Sequence, residues 1–492
     1  MNMRIFRKLS GILFILFILG CTVKDDSLKK EENLYLLALS SAVSRDLDCK
    51  TETNFWVRNI ETNTFYCMST DKVAETSFIK LYVEKNLATG LDYTEVVKAF
   101  DEKIYPTSKD AFGTMSSIYA PDGKISVVIL DIKDGATSDS GFVAGFVDPV
   151  NFYQDAPNSR SNEKAVLYMD GNELLTLRLK DLSKGYPDTF LSTLAHEYQH
   201  LLRYPYQIAT GTLDDTWLDE GTSEVASDLT GYGPQTARIQ CFRGDKTTSC
   251  TNGIAGQSLF TWSSSLKDYA FAYAFMSYLY NNSGTTDTEK NAFFKNTVTG
   301  LNSGIRAKDA STLMTAFKFS TGYKSSILGS DEKDMFKKLF ASFMAQASGY
   351  TSMDTTYFGN SSAVNMESLR LAYPLPTVLK DIASPSPYSK VTKQTSYSLS
   401  PTQVYRVNGS TNGISAGTDG VIIAKGIEEF VILNGSLNTS STSQMVSLAS
   451  EKELPELPVF QIQKEAGIHC PLQHLKSVHA IQKKLYNLKP LK

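Results

Sequence analysis

The spacing of apolar residues divides the chain into a strand-rich first part and a helix-rich second part. The segment KISVVILDI, residues 124–132, is rich in β-branched residues and lies between two Asp-Gly turns, so it predicts a buried strand. The segments GFVAGFVDP and SNEKAVLYMD predict two further strands. From Pro187 onward the apolar residues recur at helical spacing, which predicts a mainly helical part.

Changes in composition place the boundaries between the parts. Residues 33–186 are predicted to form a mixed α/β part that contains the sheet, and residues 187–380 a mainly helical part. Residues 381–402 are rich in Ser and Pro, which is typical of a linker. Apolar and polar residues alternate between Asn-Gly turns in residues 403–450, which predicts a small β module. Residues 451–492 have no clear core pattern and are predicted to be poorly ordered, and the whole indicates an α+β fold.

The N-terminus has the pattern of an export signal. Residues 1–20 combine a basic start with the apolar run ILFILFIL, which is too short to span a bilayer. The ending Ile-Leu-Gly-Cys resembles the bacterial lipobox, in which the signal is cut before the cysteine and the thiol is lipidated. Residues 21–32 are polar and suit a tether. We therefore expect a protein of the bacterial cell envelope, anchored to a membrane through Cys21, with an ordinary signal peptide or a buried helix as the alternative.

Charge gives no sign of a nucleic-acid partner. The 492 residues have a formal net charge of −3, and Lys and Arg are scattered along the chain. No basic stripe or aromatic-basic platform stands out, so nucleic-acid binding is not expected. The length and the 42% of hydrophobic residues are sufficient for a large core.

The number and spacing of the cysteines are compatible with an exported protein that forms disulfides. An exported chain meets oxidising conditions, so disulfides are allowed. Proximity in sequence favours the pairs Cys49–Cys67 and Cys241–Cys250. Free buried thiols are the alternative, and the spacing does not suggest a cysteine zinc site.

A metal-binding pattern lies in the first predicted helix of the helical part, residues 187–203. His196 and His200 are four positions apart, so both imidazoles leave the same face of the helix and can reach one ion. Glu197 is turned toward a water on that ion and not toward the ion itself, so it can act as the base. The alternative is a core helix with hydrogen-bonded histidines. It leaves Glu197 without a role, and only five histidines occur in the chain.

A second predicted helix supplies a third ligand. A catalytic zinc needs three protein ligands and an open position. Nineteen residues separate His200 from Glu220, and Glu220 and Glu224 lie on one face of the segment TWLDEGTSEVASDL. Two stacked acids repel each other unless a positive charge lies nearby. Zinc on Glu220, with Glu224 accepting the outer N–H of a ligand histidine, removes that repulsion, whereas a solvated acidic face is the alternative.

These motifs resemble the gluzincin group of metallopeptidases and, more specifically, the hyicolysin-type peptidases. The resemblance covers about residues 75–285 and rests on HEYQHLLRY and WLDEGTSEVA, with weaker support from the three strand segments and YAFAYAFMSYL. It implies a zincin-like fold with an upstream sheet, an active-site helix and a helical subdomain. It also implies a site in which zinc is held by three ligands beside a catalytic base: His196, His200 and Glu220, with Glu197. One departure is Asp219, where such enzymes commonly have Asn.

The oxyanion of the transition state needs a hydrogen-bond donor besides zinc. The three histidines outside the motif all lie in the terminal tail, so a tyrosine is the natural substitute. The segment YAFAYAFMSYLY offers Tyr269, Tyr273, Tyr278 and Tyr280. The resemblance to gluzincins, where a helix after the ligand Glu presents such a tyrosine, favours Tyr269. An aromatic stripe packed in a core is the alternative for each ring.

Three aspartates follow the first predicted strand, namely Asp131, Asp134 and Asp139. They could bind calcium, but their spacing does not match an EF-hand loop. A polar turn is the better interpretation.

The predicted function is a zinc-dependent endopeptidase that hydrolyses peptide bonds of extracytoplasmic proteins. An extended substrate would pair with a strand edge, for which the SNEKAVLYMD strand is expected to lie at the cleft. A zinc aminopeptidase is one alternative, with Asp219 or Glu224 binding the free amine. The other is a surface adhesin or binding lipoprotein that keeps zinc as structure.

Overall fold

We describe the fold from a computed structural model of the chain. The chain divides into two compact units, Met1–Asn54 and Phe55–Lys492. The predicted signal peptide, Cys21, the tether and most of the predicted tail lie outside the described residues. Within those residues, no helix has the length and apolar character needed to cross a membrane. The structure describes residues 49, 51–136, 141–156, 159–245, 250–351, 356–358, 365–384, 387–394, 396–414, 419–437 and 459–462.

A seven-stranded sheet occupies the first part of the chain and receives one strand from its end. Its order is β1-β2-β3-β4-β6-β5-β12. Strands β3, β4 and β6 are parallel, whereas β5 runs antiparallel to β6 and β12 antiparallel to β5. The strands are β1 (Asn54–Asn59), β2 (Thr64–Glu75), β3 (Ile79–Glu84), β4 (Ile125–Leu130), β5 (Phe142–Phe146), β6 (Val166–Asp170) and β12 (Val459–Ile462).

The three predicted strands correspond to β4, β5 and β6, and every residue in them is buried. The expectation that an extended substrate would pair with the SNEKAVLYMD strand is wrong, because β6 is already paired with β4 on one side and with β5 on the other. A continuous apolar run such as VLYMD is typical of a strand covered on both faces, and such strands lie inside parallel sheets. Strand β5 is the last strand on this side of the sheet before β12.

Helices cover the sheet and form most of the second part. A π-helical turn at Phe100–Ile104 joins the first two. Helix α4 packs against β5 and β6 on one side and α5 on the other. The helices are α1 (Tyr93–Ala99), α2 (Tyr105–Phe112), α3 (Glu173–Ser183), α4 (Thr189–Thr210), α5 (Thr216–Leu229), α6 (Thr236–Arg243), α7 (Leu266–Asn282), α8 (Asp287–Thr299), α9 (Ala310–Lys318), α10 (Ser325–Leu328), α11 (Glu332–Ala347) and α12 (Met366–Ala372).

A second, five-stranded sheet follows in the order β7-β10-β11-β9-β8. Apolar residues on one of its faces join the main core, and those on the other form a small cluster of their own. Strand β8 comes from the segment predicted as a linker and β7 from the part predicted as helical. The mixture of helix and sheet is compatible with the α+β prediction. The strands are β7 (Thr356–Phe358), β8 (Lys390–Thr392), β9 (Val404–Asn408), β10 (Gly420–Lys425) and β11 (Glu429–Asn434).

Candidate metal centre

Helix α4 is started by Asp188, whose side chain accepts the backbone N–H groups of Phe190 and Leu191. Such a cap satisfies amides that would otherwise have no partner in the first turn. Two turns further on, the helix presents His196 and His200, and both side chains are buried against α5. The amphipathic pattern therefore places a pair of imidazoles between two packed helices.

The imidazoles meet a carboxylate from α5. The Nε2 atoms of His196 and His200 are 3.1 Å apart, and Glu220 Oε2 lies 3.3 and 3.5 Å from them respectively. Ligands about 2.0–2.2 Å from one tetrahedral ion lie about 3.3–3.5 Å from each other. The two distances to Glu220 fall in this range and the distance between the two nitrogens is slightly shorter, so the three atoms are close to the spacing of one face of a tetrahedral metal site. We call these three residues the metal cluster.

Glu197 lies beside this cluster and is fully buried. Neither of its carboxylate oxygens has a hydrogen-bond partner among the described residues. Burial raises the pKa of Glu197 well above its ordinary value. A buried carboxylate without partners is costly, and a neighbouring cation compensates for that cost. The residues at this site thus fit a bound metal.

The outer nitrogen of His200 has its own partners. Its Nδ1 lies 3.1 Å from Asp219 Oδ1 and 3.2 Å from Ser223 Oγ. Burial alone would lower the pKa of His200, but the carboxylates of Asp219 and Glu220 outweigh burial and raise it. A carboxylate on the outer nitrogen fixes the ring and directs the other nitrogen toward the metal.

Glu224, one turn after Glu220 on α5, is paired with a cation from the next helix. Its Oε1 accepts a hydrogen bond of 2.8 Å from Arg238 Nε, and Arg238 Nη2 lies 2.7 Å from the same oxygen. The positive charge that relieves the two stacked acids on α5 therefore comes from α6. The carboxylate that contacts the outer nitrogen of His200 is Asp219, one residue before Glu220. The expectation that Glu224 accepts the outer N–H of a ligand histidine stays a prediction.

Behind Asp219 lies a buried charge network that sequence reasoning missed. Arg203, on α4, donates from Nε to Asp214, and Arg306 binds the same carboxylate. Arg203 Nε is also 3.7 Å from Asp219 Oδ1, so the network reaches the partner of His200. The spacing His200 to Arg203, i and i+3 on one helix, is the signal that could have identified it.

Of the tyrosines on α7, Tyr269 is the one whose hydroxyl is influenced by the charges of both Glu220 and Glu197. Its ring is buried, packs edge-on against Trp262, and has the Arg238 guanidinium 5.1 Å from its centroid. Burial raises the pKa of Tyr269, and the carboxylate of Glu220 raises it further. Tyr273 instead donates a hydrogen bond of 2.7 Å to Asp228.

The close approach of α5 and α7 depends on Gly221. A Cβ atom there would lie 2.9 Å from the carbonyl oxygen of Ala272 and 2.7 Å from Met276 Cγ. A residue with a side chain would therefore push the two helices apart. The glycine that follows the ligand Glu220 allows the tyrosine helix to pack behind the metal cluster.

The four cysteines predicted to form disulfides are oxidised in the structure. Cys241 and Cys250 are bonded, with their Cα atoms 5.0 Å apart, and this bond fixes the end of α6. Cys49 and Cys67 are also oxidised. The first bond supports the helix that carries Arg238.

A second group of acids lies at the carboxyl ends of β4 and β6. The side chains of Asp131, Asp170 and Glu173 come within 4.8 Å of one another, and we call them the strand-end cluster. Both Asp170 oxygens accept backbone N–H groups, from Ile132 on one and from the start of α3 on the other. Burial raises the pKa of Asp170 to about 7.

Part of the chain is similar to a known metalloprotease. No protein-family model matches the chain. The chain is 30% identical over 205 residues to the neutral metalloprotease ShpI of Staphylococcus hyicus. The aligned region covers 40% of this chain and 44% of that protein, so it spans less than half of the relative. The chain is thus a distant homologue of a neutral metalloprotease, and this supports a place in a metallopeptidase family with a metal at the site described above.

Proposed function

We propose that the protein is a zinc-dependent endopeptidase. The observation that carries this proposal is the convergence of the metal cluster beside a buried carboxylate that has no partner among the described residues. Two histidines and a glutamate form the ligand set of a catalytic zinc, which leaves a position open. The homology to a neutral metalloprotease supports the same reaction class.

The proposed reaction is hydrolysis of an internal peptide bond. Zinc, when bound, supplies a Lewis acid that polarises the scissile carbonyl and lowers the pKa of a water molecule. Glu197 accepts a proton from this water as the water oxygen bonds to the carbonyl carbon. The carbon–nitrogen bond then breaks, and Glu197 returns the proton to the leaving amine. Tyr269 donates a hydrogen bond to the carbonyl oxygen as negative charge develops there.

Charge pairing around the site favours cleavage within a chain over removal of a terminal residue. An aminopeptidase needs an acidic group for the free amine of its substrate. Glu224 is neutralised by Arg238, and Asp219 is engaged by His200 and Arg203. Both acids that could bind an amine are thus already paired. An aminopeptidase remains the second candidate, and its activity would depend on a free N-terminus.

A non-catalytic binding lipoprotein with a structural zinc is less consistent with Glu197. A structural zinc site is closed by four protein ligands, whereas three ligand atoms converge here within the described part of the chain. A buried carboxylate beside the ion would also have no function in a binding protein. For these reasons we assign Glu197 to chemistry.

We also propose that the protein acts outside the cytoplasm, anchored by lipid at Cys21. This part rests on the lipobox-like segment before Cys21. Cys21→Ser should block lipidation and move the protein from the membrane to soluble or uncleaved fractions. Unchanged membrane retention with normal processing would remove the anchor from the proposal.

The experiment that tests the function compares metal content and peptide cleavage. The chain from residue 22 should bind zinc and cleave casein or an internally quenched peptide with blocked termini. Glu197→Gln should keep its zinc, since the ligands are unchanged, and lose turnover by about 10²–10⁴-fold or more. Normal zinc with normal turnover in this variant would contradict the mechanism, and cleavage only of peptides with a free N-terminus would favour the aminopeptidase.

A further inference from the structure

Strand β12 covers the edge of β5. The two strands run antiparallel, with Phe460 opposite Gly145 and a register shift between Phe460 and Gln461. Strand β5 pairs with β6 on its other side, so β12 occupies the side that would otherwise remain open. Residues 459–462 are therefore an added strand, drawn from far along the chain.

Strand β5, whose edge β12 covers, contacts the residue proposed as the base. A Cβ atom on Gly145 would lie only 2.9 Å from Glu197 Cγ, so β5 contacts the carboxylate-bearing residue directly. Because Phe460 is the partner of Gly145, β12 passes the point where β5 and Glu197 meet. A chain paired with β5 at this register therefore runs next to the strand residue that contacts Glu197.

We propose that residues 459–462 act as an internal competitor of the substrate by occupying the edge of β5. This inference rests on the proposed function, because it concerns the same site. An edge strand offers one row of N–H and C=O groups, and an extended peptide and β12 would require the same groups. Only one of them can be bound at a time, so cleavage requires β12 to leave.

The covalent link favours β12 over a free peptide. Residues 435–458 join β12 to β11, so pairing is intramolecular. Tethered segments of this kind reach effective concentrations on the order of millimolar, while peptidase substrates are used at about 1 μM to 1 mM. Even weak pairing would therefore raise the apparent KM and leave kcat unchanged, because a substrate at saturation displaces the strand.

The test disrupts pairing in the full chain. Phe460→Pro with Gln461→Pro removes two consecutive N–H groups, and since these alternate in direction, one of the two points toward β5. Phe460→Ala with Gln461→Ala is the matched control, because it keeps both N–H groups. The proline variant should lower KM for a blocked peptide by about fivefold or more at equal kcat, and the alanine variant should do so far less. Zinc content and melting temperature serve as controls for folding.

Hydrogen exchange of residues 142–146 gives a readout that does not depend on activity. Exchange should be faster in the proline variant than in the alanine variant. Equal exchange, or faster exchange with an unchanged KM, would overturn the inference. A KM that rises with protein concentration would mean that the strand comes from a second copy, which also overturns it. Failure of the proposed function looks different, because then no variant cleaves any peptide even with zinc bound.

Discussion

The metal cluster and the strand-end cluster each bring three ligand-type side chains within 4.8 Å of one another, yet their surroundings differ. In the strand-end cluster, Asp170 is buried but accepts three backbone N–H groups, and Asp131 pairs with Lys133. In the metal cluster, ligand atoms face one another, and the neighbouring Glu197 has no hydrogen-bond partner within the described residues. Burial alone therefore does not mark a site. What marks it is polar atoms whose hydrogen-bonding capacity the fold leaves unused.

The largest expected contrast is in metal binding. Glu220→Ala removes a ligand and should reduce zinc affinity by more than about 100-fold, beyond the range for outer-sphere partners. Glu173→Ala, in the strand-end cluster, should leave zinc content and turnover unchanged. Both are measured by metal analysis after dialysis and by peptide cleavage. Zinc loss in the Glu173 variant would remove the distinction between the two clusters.

A smaller contrast is expected between two tyrosines one turn apart. Tyr269→Phe should lower kcat by roughly 10²–10³-fold with zinc content and KM nearly unchanged, because only a hydrogen bond to the transition state is lost. Tyr273→Phe removes the bond to Asp228 and should cost about 1 kcal/mol of unfolding free energy with normal turnover. Equal loss of turnover in both variants would indicate a packing effect.

Two further acids of α5, Asp219 and Glu224, give a third contrast. Asp219→Asn weakens the partner of His200 and should reduce zinc affinity or activity by about 10-fold to 100-fold. Glu224→Gln leaves Arg238 buried without its counter-charge, so it should lower stability by up to about 3–5 kcal/mol and affect zinc affinity less. If the Glu224 variant loses zinc at a lower chelator concentration than the Asp219 variant, Glu224 orients one of the ligand histidines.

The smallest effect concerns pH and Asp170. Burial raises the pKa of Asp170 to about 7 from an ordinary value of 3.8, so the folded chain holds this proton more tightly than the unfolded chain. The contribution of this proton to the free energy of unfolding is fully present below about pH 4 and is lost as the pH rises through about 7. Asp170→Asn should make the fall of unfolding free energy between pH 4 and 7 shallower. A calcium-dependent gain in stability for the wild type alone would show that the strand-end cluster binds metal.

The two histidine ligands could be predicted from the sequence, because their relative position depends only on the geometry of one helix. The i and i+4 positions place His196 and His200 on one face whatever surrounds them. Adding Glu220 required only a second helix, and the resemblance to a known family supplied the choice. The structure brings these three residues together as expected from the sequence.

Contacts between distant segments could not be predicted in the same way. Asp219 and Glu224 lie on one helix, but their partners come from two other helices, His200 for Asp219 and Arg238 for Glu224. The pairing of β12 with β5 joins residues more than 300 positions apart, and no local pattern encodes it. The order of strands in the sheet likewise depends on packing between distant segments, which is why the sequence did not predict β6 between β4 and β5.

The space around Gly145 limits which residues a related active enzyme can have at this position. A methyl group at this position would meet Glu197 Cγ at 2.9 Å and the Tyr168 carbonyl oxygen at 3.1 Å, so neither neighbour leaves room for it. A larger residue would displace the base, and the three atoms nearest to its Cβ would include none from the metal cluster. Relatives with an intact HExxH motif and a bulky residue at this point should bind metal without turnover. The identity of one strand residue can thus separate enzymes from inactive pseudoenzymes that the metal motif alone would group together.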